Sequence, residues 1–176
     1  MGLFSKKKER VIDMEKSAEN KKKLRALFNQ AVEDGDTYKI LYAGASESVI
    51  DRGLVVDTRI STFYNYVVGY REYDYNVAVV EVDRDMTMFS EPNYVRIDEI
   101  KETNYYKKIC QAWFIYKDKA TSRYGVKLEI DDQSSTSKFG IPNISQEFER
   151  ENFLDFMERY TEHLRQMGFK IKKWTR

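Results

Sequence analysis

The stretch Gly125-Val126-Lys127-Leu128-Glu129-Ile130-Asp131 alternates without a break between apolar and charged side chains after its first residue. Successive side chains of a strand point to opposite faces of the sheet, so this alternation predicts a β-strand with one buried and one solvated face. The residues that follow, 132–145, are mostly polar and include Pro142, which predicts a loop. Strand and loop together lead into the C-terminal part of the chain.

That C-terminal part has helical periodicity, because its apolar residues recur at spacings of three and four. The apolar stripe consists of Phe153, Met157, Tyr160, Leu164 and Met167, and it is widened by Phe148, Leu154 and Phe156. We therefore predict an amphipathic helix over about 146–167, with Asn143 or Ser145 as its cap and Gly168 at its end. A short additional strand is expected over 169–174.

Upstream of the loop, apolar and polar side chains alternate with a period of two residues over a long region. This alternation predicts five further strands. They are Tyr38–Ala45, Ile60–Tyr70, Asn76–Arg84, Tyr94–Ile100 and Tyr105–Lys117. No helical pattern separates them, so the connections are short and the sheet should be antiparallel. The total is six strands, or seven if 169–174 is included.

A second helical pattern precedes the strands. Its apolar stripe consists of Leu24, Leu27, Phe28, Ala31 and Val32. This spacing predicts an N-terminal helix over about 14–33, which Gly35 would end. We therefore divide the chain into a flexible basic tail over 1–12, an N-terminal helix region over 13–35 and a single domain over 36–176.

One part of the strand region looks like bacterial PH-like domains. Val77–Asp83 are followed by Phe89-Ser90-Glu91-Pro92-Asn93-Tyr94-Val95-Arg96-Ile97 and by the turn Asp98-Glu99-Ile100. About seven consecutive strands that end in one amphipathic helix also resemble the pleckstrin-homology (PH) superfold, over roughly residues 38–167. The resemblance implies an α+β fold, a PH-like half-open antiparallel barrel of about seven strands with a C-terminal plug helix, to which the N-terminal helix is extra. The alternative is an unrelated α+β fold with helices on one face of a meander sheet.

The resemblance implies no ligand site. Phosphoinositide-binding members use a basic Lys to Arg-x-Arg constellation around their first two strands, and phosphate recognition needs convergent donors that are not neutralised. In this chain the corresponding region has basic residues interleaved with acidic ones: Lys39, Arg52 and Arg59 with Glu47, Asp51 and Asp57. We therefore expect no cofactor and no phosphoinositide site.

The composition is that of a folded protein, with 41% hydrophobic residues, 34% charged residues, 13 Tyr and 10 Phe. No run approaches eighteen apolar residues, so a transmembrane helix is not expected. No apolar signal-peptide core follows the first residues, and Cys110 is the single cysteine. These features predict a cytoplasmic location without a disulfide framework. The single histidine, His163, leaves no His-rich metal site.

The net charge of +1 hides a segregation of charge along the chain. Residues 1–30 and 163–176 each carry a net charge of +5, while 31–162 carry −9. The basic ends are expected to neutralise the acidic body, and they would also allow weak contact with an anionic membrane. The residues that could make that contact are Lys6, Lys7, Lys8, Lys172 and Lys173. We do not expect a nucleic-acid partner.

One group of charged residues is similar to a catalytic motif. Glu99 and Lys101 match the Glu-x-Lys half of a metal-dependent nuclease core, with Asp83 or Asp85 as the second acid. Such a triplet is expected by chance in a chain this charged, and no helix is predicted beside these strands. We therefore interpret these residues as solvated charges at strand ends, and we predict no catalytic and no metal site.

The aromatic residues around the second strand suggest a contact surface. Tyr64, Tyr66 and Tyr70 share one parity, and Tyr73 follows at the turn. Tyrosine is common in protein interfaces. We predict a non-enzymatic binding or scaffolding domain that engages a protein partner or a second copy of itself, along an edge strand or along the Tyr64–Tyr75 region.

Overall fold

A computed structural model describes residues 11–52, 57–116, 125–169 and 171. The helices and strands in these ranges are α1 (Met14–Ala31), β1 (Lys39–Arg52), β2 (Asp57–Tyr70), β3 (Val77–Val82), β4 (Asn93–Val95), β5 (Ile100–Tyr106), β6 (Gln111–Tyr116), β7 (Gly125–Glu129) and α2 (Glu147–Gln166). The predicted order of helix, strands and helix is confirmed, as is the α+β class.

The strands form one seven-stranded sheet in the order β4-β3-β2-β1-β7-β6-β5. Every pair is antiparallel. β4 and β5 are the two edges and do not pair with each other, so the sheet is open. This arrangement, with a helix at each end of the chain, is consistent with the PH-like half-open barrel predicted from the sequence.

The two helices cover opposite faces of the sheet, and each face has its own apolar core. In the first core α2 packs against strand residues such as Val68, Phe114 and Leu128. In the second core α1 packs against Val67 and Val80. The alternating parity of the strands supplies both cores, because neighbouring residues such as Val67 and Val68 point to opposite faces.

Side-chain hydrogen bonds tie α1 to the segment before α2. The Asp13 backbone N–H donates to Asn143 Oδ1 over 3.1 Å. The Ser145 backbone N–H donates to Ser17 Oγ over 2.9 Å. Asp13 Oδ1 also accepts from the Glu15 N–H and therefore caps the helix. The polar first half of α1 is thus held by specific partners.

Two predicted strands differ from the structure. The segment predicted as Tyr94–Ile100 is divided by a 3-10 turn, Ile97–Glu99, between β4 and β5. The prediction of one strand over Tyr105–Lys117 is wrong, because a 3-10 turn at Lys107–Ile109 ends β5 before β6 begins. Cys110, predicted within a strand, lies in this turn with φ of 50°.

The beginning of α2 also differs from the prediction, since neither Asn143 nor Ser145 is its cap. Gln146 holds the cap position, and its backbone N–H donates to Asp132 Oδ1 over 2.8 Å. Beyond α2, Phe169 and Ile171 are not in a strand, and Ile171 is buried in the first core. Within the described ranges no helix combines the length and apolarity needed to cross a bilayer.

Candidate functional site

The four tyrosines of the predicted contact surface lie in different environments. Tyr70 is 1% exposed, with its ring centroid 4.8 Å from that of Phe156 on α2, so it is a core residue and is not part of a surface. Tyr64 and Tyr66 are half-buried and stack with centroids 6.1 Å apart. Burial raises the pKa of Tyr66 to about 12. Tyr73 is 74% exposed in the β2–β3 turn. These residues do not form one continuous surface.

Two acidic residues of the nuclease pattern, Asp83 and Glu99, make local contacts. Asp83 Oδ1 accepts the backbone N–H groups of Thr87 and Met88, each over 2.6 Å, which closes the turn after β3. The hydrogen bonds, led by that from Met88, lower the pKa of Asp83. Glu99 lies 3.6 Å from Arg96. In the part of the chain that the structure describes, no three His, Cys, Asp or Glu side chains are grouped to hold a metal ion.

The predicted anionic contact residues Lys6, Lys7, Lys8, Lys172 and Lys173 lie outside the described residues. Tyr64 lines an open depression of about 520 Å³ beside Phe139 and Arg84. Phe139 stacks on Phe63 with ring centroids 4.0 Å apart. This depression therefore has an aromatic wall on the surface.

A larger cavity, of about 650 Å³, lies between the two helices and was not predicted from the sequence. We call it the helix cleft. Leu24 of α1, Ile40 of β1 and Ile144 are among its apolar lining residues. Phe148, in the first turn of α2, stands beside it with 74% of its surface exposed. The cleft thus has a largely apolar lining and an exposed aromatic ring at its side.

The pairing of β1 explains why the cleft is open. β1 pairs with β2 along its whole length, but its other edge pairs with β7 through Gly44 and Glu129. Within the described ranges, the beginning of β1, before Gly44, therefore has no neighbouring strand on that side. Because α1 and α2 cover opposite faces of the sheet, the space between them opens onto this uncovered edge.

The carboxamide of Gln146 occupies part of this edge in place of a strand. The Tyr42 N–H donates to Gln146 Oε1 over 2.9 Å, and Gln146 Nε2 donates to the Tyr42 carbonyl over 2.9 Å. Gln146 is 2% exposed, so both bonds are buried. A side chain therefore reproduces the pair of hydrogen bonds that an adjacent strand would make with Tyr42.

Ile40 precedes Tyr42 by two residues and has the same orientation in the ladder. In an antiparallel pair, alternate residues direct both backbone groups toward the partner strand or away from it. Because the backbone groups of Tyr42 point away from β2, those of Ile40 do so too. On the far side of Ile40, the Tyr38 carbonyl accepts from Arg25 Nη1 over 3.0 Å. Among the described residues, none pairs with the Ile40 backbone on this edge.

Positive charge predominates around the helix cleft. The charged lining residues are Lys21, Lys22, Arg25, Lys39 and Glu149. Lys21 pairs with Glu149, and Lys39 Nζ lies 3.0 Å from Glu72. Burial lowers the pKa of Arg25. Lys22 is exposed and makes no ion pair with a described residue. The cleft therefore combines an apolar lining, an excess of cations and an open backbone edge.

Comparisons with protein-family models, with curated proteins and with solved structures found no match. The function of the cleft is therefore inferred from its own geometry and chemistry. Sequence reasoning missed it because its lining residues come from three elements that are far apart in the chain. The strongest local signal was Phe148, an apolar residue on the otherwise polar first turn of α2.

Proposed function

We propose that this chain is a non-enzymatic binding domain, and that it holds a segment of a partner protein in the helix cleft. The observation that carries the proposal is the cleft itself, about 650 Å³ between α1, β1 and α2. This volume is within the range of pockets that enclose small ligands or a few side chains, about 300–1,000 Å³.

The lining supports a partner with both apolar and polar groups. Ile40 is half-buried and offers apolar surface, with Leu24 and Ile144 buried behind it, so a side chain inserted against Ile40 would leave water and gain hydrophobic free energy. Phe148 offers an exposed aromatic ring, a residue type enriched in protein interfaces. The surrounding cations and the Ile40 backbone provide polar contacts that would fix orientation.

The proposal can be tested by photo-cross-linking in cells. The photoreactive amino acid p-benzoylphenylalanine replaces Phe148 beside the cleft or, as a control, Met167 at the other end of α2. Both positions carry exposed apolar side chains, with exposures of 74% and 54%. We expect cross-links from position 148 to one recurrent peptide of a partner protein, identified by mass spectrometry, and no such peptide from position 167.

A second variant makes the test specific for the cleft. Ile40→Arg would place a cation at a half-buried position of the apolar lining, and we expect it to abolish the cross-link from position 148 while circular dichroism confirms that the chain is folded. Capture of the same proteins from positions 148 and 167 would contradict the proposal, as would a cross-link from 148 that survives in the folded Ile40→Arg chain.

A further inference from the structure

We infer that the partner segment binds as a short extended strand on the open edge of β1, paired with the backbone of Ile40, and that it carries acidic side chains on both sides of one apolar residue. This inference rests on the proposed function, because it names the binding mode and the chemistry of the segment that the helix cleft would hold.

The pairing follows from the row of outward-facing backbone groups on β1. Gly44 is paired with β7, Tyr42 with the Gln146 carboxamide, and the Tyr38 carbonyl with Arg25. Ile40 lies within this row, and its outward edge faces the cleft that it lines. One residue of an antiparallel strand could exchange two N–H···O=C bonds with Ile40, as in a hydrogen-bonded ladder pair.

The neighbours of Ile40 limit the length of the added strand. The buried Gln146 side chain already satisfies Tyr42, and Arg25 already satisfies the Tyr38 carbonyl. An incoming strand can therefore form a full hydrogen-bonded pair with Ile40 alone. The occupant is a short segment in extended conformation, since a longer strand would have to displace one of these two side chains.

Strand alternation also orders the side chains of the segment. The residue opposite Ile40 would lie on the same face as the Ile40 side chain, which is the α1 side of the sheet, where the half-buried Ile40 itself supplies apolar contact. Its two neighbours would point to the α2 side, the side of Lys39. Lys39 is held near α2 by Glu72, which also accepts from Arg159 Nη2 over 2.6 Å.

Charge complementarity makes the flanking residues acidic. Of the five charged side chains that line the cleft, four are basic, and Glu149 is the acidic one. Glu149 is already paired with Lys21, and Lys22 of α1 remains exposed to solvent at the opening. A basic segment would be repelled. Carboxylates next to the apolar residue point to the α2 side and would meet Lys39, whereas carboxylates one position further out point to the α1 side and would meet Lys22.

The test uses the full chain and three fluorescein-labelled peptides, followed by fluorescence anisotropy. The first is acetyl-Asp-Glu-Leu-Glu-Asp-amide, the second has Lys at every acidic position, and the third is the acidic peptide N-methylated at Leu. N-methylation removes the donor to the Ile40 carbonyl. We expect the acidic peptide to bind, the basic one not to bind, and the methylated one to bind about tenfold more weakly.

Amide hydrogen exchange, measured by NMR, reports the pairing directly. Saturation with the acidic peptide should slow exchange of the Ile40 N–H by about tenfold. Exchange of the Leu41 N–H should be unaffected, because this group faces β2.

A charge variant tests the acidic residues of the segment. Lys22→Glu should weaken the binding of the acidic peptide by about fivefold. Lys23→Glu is the matched control, since this neighbouring lysine is exposed but does not line the cleft.

Each contrary result has a distinct meaning. If the acidic peptide binds but does not slow exchange of the Ile40 N–H, strand pairing would be overturned, while binding of the segment in the cleft would stand. If none of the peptides binds but position 148 still gives a specific cross-link, the acidic character of the segment would be overturned and the proposed function would stand. Protection of Ile40 by phosphatidylserine vesicles but not by peptide would make the occupant a lipid and overturn the inference. Failure of both the peptides and the cross-link would overturn the proposed function itself.

Discussion

The ring of Phe28 on α1 lies directly against the backbone of Gly69 in β2. A methyl group on the Gly69 α-carbon would lie 2.1 Å from Cζ of that ring, far inside van der Waals contact. The lack of a side chain at Gly69 therefore lets α1 approach the sheet closely. Phe28 is 0% exposed, so it has no free space into which to retreat.

Gly69→Ala should therefore destabilise the chain by about 1–3 kcal/mol, the usual cost of overpacking a core. Gly44→Ala is the matched control, because its methyl group would lie 3.5 Å from the Tyr42 hydroxyl, an ordinary contact. Chemical denaturation measures both. In a double-mutant cycle, Phe28→Leu should recover part of the stability that Gly69→Ala loses. An equal loss of stability in the two glycine variants would show that Phe28 does not pack on Gly69.

Gln146→Met should cost about 2–4 kcal/mol in the free energy of unfolding. Methionine has a similar length but leaves the buried N–H and C=O of Tyr42 without partners, and each unpaired buried group costs about 1–3 kcal/mol. Gln166→Met, at the exposed end of α2, should change stability by less than about 0.5 kcal/mol. Equal stability of the two variants would mean that the carboxamide does not substitute for a strand.

Tyr160→Phe should leave stability unchanged or raise it by about 1 kcal/mol. The Tyr160 hydroxyl is buried and has no hydrogen-bond partner among the described residues. Burial also raises its pKa. Removing an unsatisfied buried hydroxyl relieves its desolvation cost. Tyr42→Phe provides the contrast and should be destabilising, because the Tyr42 hydroxyl donates to Asn65 Oδ1 over 2.8 Å. A clear loss for Tyr160→Phe would refute this assignment.

Leu164→Ala tests the docking of α2. Leu164 is 0% exposed in the first core, and truncation of a fully buried leucine costs about 2–5 kcal/mol. Glu151→Ala, on the exposed side of the same helix, should stay within about 0.5 kcal/mol of the unmodified chain. A thermal or denaturant midpoint for Leu164→Ala that matches the Glu151→Ala value would show that α2 does not pack on the sheet.

The basic N-terminal residues give a prediction about membranes. Lys6, Lys7 and Lys8 could each contribute about 1 kcal/mol at an anionic surface. We expect weak sedimentation with phosphatidylserine vesicles at low salt, lost in about 0.5 M salt, where the screening length is short. Deletion of 1–10 should abolish it without unfolding the chain. If the deletion leaves vesicle binding unchanged, the residues that contact the membrane would instead be Lys172 and Lys173.

The helices and most strands could be predicted because their periodicity records which side chains are buried. The β5–β6 turn could not, since the run Tyr105–Lys117 contains neither Gly nor Pro. That turn depends on Cys110 at φ of 50°, a region that residues other than Gly seldom occupy. Local sequence carries no mark of such a turn, so the predicted strand runs from the last two residues of β5 through the turn into β6, while most of β5 lies between two predicted strands.

The candidate site was harder to predict than the fold, for a geometric reason. Strand parity assigns a side chain to a face but does not indicate how far along the strand a helix covers that face. Tyr64 and Tyr70 share a parity, yet only Tyr70 lies beneath α2. The helix cleft depends on the juxtaposition of α1, β1 and α2, which a one-dimensional pattern does not contain.

The hydrogen bonds between α1 and the segment before α2 join residues 130 and 128 positions apart. During synthesis at about 5–20 residues per second, α1 would wait roughly 6–26 s before these partners were made. Through that interval its apolar stripe lacks Ile141 and Ile144, which complete the second core. The nascent chain therefore exposes the apolar stripe of α1 while its sheet is assembled, and such a stripe is the kind of surface that chaperones bind.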